Sequence, residues 1–559
     1  MRLRSRYRPF LAVVAASVLL GMGASRLLSQ EATWESRLEH ADKEPQNWLT
    51  LYGNFSGWNY SPLNSITRKN VGRLLPVWAF PTGLSKPPLR TTGLDSPPLV
   101  VDGVLFIEGM QNNVYAVDAA TGQWIWTYTY ELAAHIAQGE GRGARGLAYG
   151  DGKVYIGTMD NHVVAIDAKT GKEAWNVHEE DPVECQCKIT SAPLFVKGKV
   201  LTGPAGNSGG KLRAWVNAYD AETGKRVWHF STVLADKDES APQFGGGAIW
   251  ETGTYDPETN MTYWGTGDPS PAMAGEGRPG NNLYTASVIA LDADTGDLKW
   301  YFQETPHDVY DYDSHPAPIL IDLDMGGHKR KVMLHSSKNG FAYLLDRETG
   351  KFIRAFPWGV TPNWTKGLDA DGKPIDMVDP GQIKDGSICP PPGAGAQGVN
   401  YFAYSPKTNL WYATDYDICT VFKDGQRKMA LNPQSAPNIS AFDPATGTKK
   451  WTFDTNYINF SSPLVTGGDL VFGGDEEGNA FALDATTGEK LWSFNTGSRI
   501  ASAPISFSVG GRQFIAISAG GGTIGESMIA NMNLFPGAKG HLPEPSATLF
   551  VFAIPEKGK

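Results

Sequence analysis

Short apolar runs alternate with polar turns along most of the chain, and one phrase recurs where those runs end. An apolar pair is followed by Asp, two variable residues and Thr-Gly, with Trp four residues after the Gly. Four copies run from Ala116-Val117-Asp118 to Trp126, Ala165-Ile166-Asp167 to Trp175, Ala218-Tyr219-Asp220 to Trp228, and Ala290-Leu291-Asp292 to Trp300. Ala441-Phe442-Asp443 to Trp451 and Ala482-Leu483-Asp484 to Trp492 repeat it, while Leu344-Leu345-Asp346 to Gly350 has Arg354 in the Trp place. Each copy predicts a hairpin: a buried strand ends at Asp, whose carboxylate caps the turn amides, Gly supplies a positive φ, and Trp starts the return strand.

One hairpin cannot bury a Trp, whereas hairpin units stacked in a ring let each indole pack between neighbouring sheets. Degenerate copies at Tyr255 to Asn260 and Tyr404 to Asn409 fill the long gaps. At four strands per blade, about 500 residues make an eight-bladed ring. The pattern therefore predicts one all-β domain over residues 31–559, an eight-bladed β-propeller with tryptophan-docking repeats. An early strand near Val77 to Phe80 is expected to close the ring against Leu549 to Ala553. Two Gly- and Pro-rich inserts, 265–285 and 355–400, are expected as loops over one face, where a rigid ring carries its site.

Residues 1–30 read differently. Arg2, Arg4, Arg6 and Arg8 precede an apolar run from Phe10 to Ala24, long enough for a secretion signal but short for a bilayer span. Arg4 and Arg6 are separated by Ser5, so general secretion to the periplasm is expected rather than the twin-Arg route. An uncleaved anchor is the alternative, and the mature chain is expected to have no transmembrane span. The net charge is -10, and the signal holds five Arg and no acid, leaving about -15 without it. Nucleic acid and anionic membrane surfaces are poor partners for such a chain.

Several longer motifs carry a resemblance. They are Asn59-Tyr60-Ser61-Pro62-Leu63, the Trp phrases, Tyr263 through Pro271 (YWGTGDPSP), Arg278 through Tyr284 (RPGNNLY) and Thr305 through Asp313 (TPHDVYDYD). In this ordered combination the chain resembles the pyrroloquinoline quinone (PQQ)-dependent alcohol dehydrogenases over nearly its whole mature length. The resemblance implies a small alcohol as substrate, hydride transfer to PQQ, and electrons passed singly to a soluble cytochrome c. It implies Asp311 as general base and metal contact, Lys338 as the cation on the quinone oxygens, and Trp250 as the floor under the cofactor. Arg145 and Thr190 match partners of the cofactor carboxylates, Asn400 a cofactor-contacting Asn, and Asp95 stands where the family has a cofactor-binding Glu. A homodimer is left open.

The metal cradle departs from the family. Its first metal-binding Glu belongs in the loop around Ser208, where no acid stands, and Asp268 replaces its metal-binding Asn. The remaining oxygen ligands are Asp268, Asp311 and Asp313, which suit a hard cation. An acid two residues after the catalytic Asp goes with lanthanide use in related enzymes, so Ca2+ and a lanthanide both stay open. The family's neighbouring-cysteine disulfide, expected just before Arg145, is missing. Four cysteines fit an exported protein. The resemblance implies a Cys389–Cys419 disulfide, while Cys185 and Cys187, too close for a metal knuckle, are either bonded to each other or free. No Cys-x-x-Cys-His occurs, so the chain binds no c-type haem of its own.

Two other readings compete. A propeller that has lost catalysis would serve as a scaffold or cofactor-binding protein. A quinoprotein with a reshaped metal site would act on an aldehyde, polyol or larger substrate. Taken singly, Asp308, Asp311 and Asp313 would make a solvated acidic loop, Trp250 another packing indole, and Arg145 and Lys338 surface cations.

Overall fold

A computed structural model describes residues 33–83, 93–132, 145–206, 212–233, 244–396, 402–432, 435–521, 543 and 546–556. The signal segment and Asn400 lie outside the described residues. In the first repeat, Leu99–Val101, Val104–Glu108, Val114–Asp118 and Trp124–Tyr128 pair antiparallel in sequence order. The same meander recurs from Ala148–Gly150 to Glu173–His178, from Leu194–Val196 to Arg226–Ser231 and from Thr254–Asp256 to Leu298–Gln303. It continues from Ile319–Asp324 to Phe352–Pro357, from Ala403–Ser405 to Lys449–Asp454 and from Leu464–Thr466 to Lys490–Asn495. The repeat Asp caps its turn as the sequence predicts: Asp118 Oδ1 accepts from Thr121 N at 2.9 Å and from Thr121 Oγ1 at 2.8 Å.

The indoles link one sheet to the next. Trp126 Nε1 donates to Ala168 O at 3.0 Å, Trp175 to Ala221 O at 3.0 Å, Trp228 to Ala293 O at 3.3 Å and Trp451 to Ala485 O at 3.0 Å. Each acceptor is the residue after the Asp of the following repeat. Each ring also lies on that repeat's Gly, and a Cβ on Gly171 (φ +71°) would fall 2.7 Å from Trp126 Cδ2. Glycine is needed there twice over, for its φ and for the missing Cβ. Where the phrase lacks Trp, two residues divide the work. Arg354 Nη1 donates to Ala445 O at 2.7 Å, and the Phe356 ring lies against Gly447.

The ends of the chain close the propeller. Leu75–Pro81 pairs with Thr548–Ala553, placing Trp78 opposite Val551 and Phe80 opposite Leu549, as expected from the sequence. Trp492 Nε1 reaches Leu74 O at 3.0 Å, joining the last repeat to that early strand. The result is an all-β propeller. The two inserts are more ordered than plain loops: Pro269–Ser270 pairs with Gly245–Gly246, and Gly386–Ile388 pairs with Ile418–Lys423. Arg278, fully buried, stitches the first insert together through Pro271 O, Ala272 O, Asn282 Oδ1 and Asp308 O.

A matched pair of substitutions isolates the indole contact. Gly152 (φ +76°) has no atom within 4 Å of its would-be Cβ, so Gly152→Ala should cost only the left-handed backbone, about 1 kcal/mol. Gly171→Ala should cost ~2 kcal/mol more because the methyl overlaps Trp126. Thermal melts of the two variants against the parent protein check it, with the larger drop expected for Gly171→Ala.

Candidate active site

The segment Tyr310-Asp311-Tyr312-Asp313 alternates its side chains between the core and the site. Tyr310 and Tyr312 are buried, stack at 4.9 Å between centroids and pack edge-on against Trp364. Their hydroxyls donate to Val378 O at 2.7 Å and Pro390 O at 2.5 Å. Asp308, also fully buried, shapes the turn by accepting from Tyr310 N and Tyr312 N, each at 2.8 Å. Asp311 takes a positive φ of +64° within this bracket, a conformation Asp tolerates better than most residues.

Asp311 and Asp313 are thereby turned toward Asp268, and the three carboxylates offer oxygen atoms within 4.8 Å of one another. Lys338 completes the group: its Nζ lies 2.5 Å from Asp313 Oδ2 and 3.7 Å from Asp311 Oδ1. Asp313 Oδ1 accepts from the Asp268 amide at 2.7 Å. The strap after Cys389 frames the other side. Lys338 Nζ donates to Gly393 O at 3.4 Å, Gly393 N donates to Tyr310 O at 2.8 Å, and Ala396 N donates to Lys338 O at 2.9 Å. Cys389 is bonded to Cys419 at the root of this strap, the pairing that the resemblance implies.

The electrostatics of the cluster are those of crowded, buried carboxylates. Burial, then the charges of Asp311 and Asp313, push the Asp268 carboxyl well above the usual carboxylate range. Asp308 is raised to about 7, mainly by burial. Burial pushes the Lys338 ammonium down, but Asp313 and Asp311 outweigh it and hold Lys338 above its ordinary value. Asp268 Oδ2 is buried with no protein partner. An orphaned carboxylate oxygen beside two more carboxylates fits a hard, oxygen-seeking ion.

The candidate cofactor residues Arg145, Thr190 and Trp250 gather beside it. Arg145 is buried and donates from Nη1 to Thr190 Oγ1 at 2.8 Å and Trp250 O at 3.0 Å. Its guanidinium carbon stands 5.0 Å from the Trp250 ring centroid, and Lys338 Nζ stands 5.7 Å from it. A half-buried indole attended by two buried cations fits a planar polyanion such as PQQ. Asp95 is half-buried between Leu94 and Ser96, a segment packed against the strand Arg512–Ala519 and the glycine after it. The structure thus joins Asp268, Asp311, Asp313 and Lys338 directly, and ties Arg145, Thr190 and Trp250 to them through the indole. None of these forms a solvated loop or a surface cation.

Two features escape sequence reasoning, and a third settles an alternative that the sequence leaves open. Glu251, buried next to Trp250 in the chain, pairs with Arg145 Nε at 3.2 Å. His315 is buried and stacks on Trp250 with centroids 4.0 Å apart. Cys185 and Cys187 are bonded to each other, and the pair packs in one cluster with Trp250. Only the adjacency of Glu251 to Trp250 offered a signal.

The chain is similar to known proteins. Residues 48–357 match the family model for the β-propeller domain of glucose, ethanol and alcohol dehydrogenases that use PQQ. The quinoprotein alcohol dehydrogenase PedH of Pseudomonas putida is 35% identical, with 93% of each chain covered. The chain belongs to the PQQ-dependent alcohol dehydrogenases. Like its relatives in that family of oxidoreductases, it is an enzyme. The quinohemoprotein alcohol dehydrogenase ADH-IIG of Pseudomonas putida is 33% identical over 91% of this chain and 77% of its own. Among solved structures, a europium-containing methanol dehydrogenase superposes with a TM-score of 0.82 at 30% identity, covering 92% of this chain and all of that one. A second family model, outer membrane protein assembly factor BamB, matches residues 435–524.

The raised carboxyls set a pH dependence. In the cation-free protein Asp268 and Asp308 hold protons that the unfolded chain has already released, so stability should fall as pH rises from about 4 to about 7. A cation that replaces the shared protons should remove that loss. Melting temperatures across this range, with and without La3+ or Ca2+, check both statements.

Proposed function

We propose that this PQQ-dependent dehydrogenase oxidises a small alcohol in the periplasm, on a single eight-bladed ring over residues 31–559 whose tryptophans dock sheet to sheet. Residues 1–30 direct its export in this reading, and the two disulfides suit an oxidising compartment. No helix among the described residues is long and apolar enough to cross a membrane. The observation that carries the proposal is the buried cluster of Asp268, Asp311 and Asp313 around Lys338, set beside Arg145, Thr190 and Trp250. A scaffold would have no use for three carboxylates forced together out of water.

Bound PQQ would supply the hydride acceptor, from which electrons would pass singly to a soluble cytochrome c, and a bound Ca2+ or lanthanide ion would supply Lewis-acid polarisation. The protein's residues divide the remaining tasks. Asp313 has both oxygens engaged, by the Asp268 amide and by Lys338. Asp311 lies farther from Lys338, and its side chain is 18% exposed against 6% for Asp313. Asp311 is therefore the carboxylate placed to meet the substrate hydroxyl and take its proton. Lys338 would hold a positive charge opposite it, and Asp268, Asp311 and Asp313 would supply oxygen ligands of the cation. Arg145 and Thr190 grip cofactor carboxylates over the Trp250 ring, with Asp95 and Asn400 as further cofactor contacts.

Dye-linked oxidation of short alcohols by the PQQ-reconstituted protein, with Ca2+ or La3+, tests the function. Turnover with at least one ion is expected, and none with either would overturn it. Asp311→Asn should lower kcat by about 10²–10⁴-fold while PQQ still quenches the tryptophan fluorescence. Asp268→Ala should raise the half-saturating metal concentration.

A further inference from the structure

Beneath the oxidation site lies a second polar group that the mechanism does not use. Glu304, Ser314 and His335 are all buried, with at most 1% of each exposed. Glu304 follows the strand Leu298–Gln303 and opens the loop that carries Asp308, Asp311 and Asp313; Ser314 ends that loop. His335 sits on Lys329–Ser336, the strand that leads into Lys338. One carboxylate joins all three elements. Glu304 Oε2 accepts from Ser314 Oγ at 2.5 Å, Oε1 meets His335 Nδ1 at 2.7 Å, and His335 Nε2 meets Pro316 O at 2.9 Å.

The proton count follows from the partners. A carbonyl only accepts, so His335 Nε2 carries hydrogen, and one further proton lies between Nδ1 and Glu304. Whichever side holds that proton, the pair is neutral overall and adds no charge beside three carboxylates. Its effect is geometric. The loop end is also seated tightly: Ser314 N donates to Thr266 O at 3.0 Å, and a Cβ on Gly265 would fall 1.7 Å from Ser314 O. Asn339 Nδ2, next to Lys338, reaches back to Glu304 O at 3.4 Å.

We propose that Glu304, with His335 and Ser314, is the positioning unit of the oxidation site, a staple that holds both ends of the Asp311–Asp313 loop to the strand bearing Lys338. Its function is to keep the carboxylates at cation-binding distance against their mutual repulsion. The proposal rests on the reading of the three carboxylates as a cation site.

Calorimetric titration of the PQQ-loaded protein with La3+ and with Ca2+ reads the staple without using activity. Glu304→Ala should weaken binding of the ion that the parent protein takes by at least tenfold. Glu304→Gln should stay within about twofold, since its amide can donate to Nδ1 of a neutral His335 while its oxygen still accepts from Ser314. Ser314→Ala, which removes one arm, should fall between them and serves if Glu304→Ala does not fold. PQQ affinity by fluorescence should be nearly unchanged throughout. Unchanged metal affinity in a folded Glu304→Ala or in Ser314→Ala would overturn the staple, as would a Glu304→Gln loss equal to that of Glu304→Ala. A parent protein that binds neither ion would instead overturn the cation site on which the proposal rests.

Discussion

Three carboxylates crowded around one buried ammonium are the constraint that the rest of the molecule answers to. Such a cluster repels itself, and in water it would spread or take up protons. Here it cannot spread. Tyr310 and Tyr312 anchor the loop into an aromatic core against Trp364, Asp308 ties its amides, and the strap from Pro390 to Ala396 closes over Lys338. The unfavourable charge density is held by packing.

A ring of sheets is a good holder for such a cluster because its rigidity does not depend on any one contact. Trp126, Trp175, Trp228 and Trp451 are each both a hydrogen-bond donor to the next sheet and an apolar plate on the next turn, while Trp300 supplies only the plate, on Gly350. The substitution of Arg354 and Phe356 for one Trp shows that the two roles separate: a guanidinium supplies the donor and a phenyl ring supplies the plate. The active-site residues come from at least four of these sheets and their inserts. Their relative positions are therefore only as good as the sheet-to-sheet joints.

Much of this was legible in the chain itself. The repeat phrase gave the hairpins, the turn caps, the linking indoles and the closing strand pair, because each depends on local chemistry that recurs at fixed spacing. Asp311 lies within one of the ordered motifs, and Lys338, Arg145 and Trp250 are named only by the resemblance that those motifs carry. Glu251, His315 and the Glu304–Ser314–His335 group were not, since each acts through a partner 10 to more than 100 residues away with no periodic relation to it. The Cys185–Cys187 bond was left undecided because a one-residue spacing permits either state. The inserts were read as loops because Gly and Pro dominate them, yet Arg278, one charged residue, supplies carbonyl-directed hydrogen bonds that order the first of them.

The joint between Leu75–Pro81 and Thr548–Ala553 has a consequence for biosynthesis. The outer strand of that sheet is made early, while its three partners come from the last fifty or so residues of the chain. Until synthesis is finished, the early strand has nothing to pair with, and the circle stays open beside the first repeat. A product truncated before Thr548 would present that unpaired early strand to other chains.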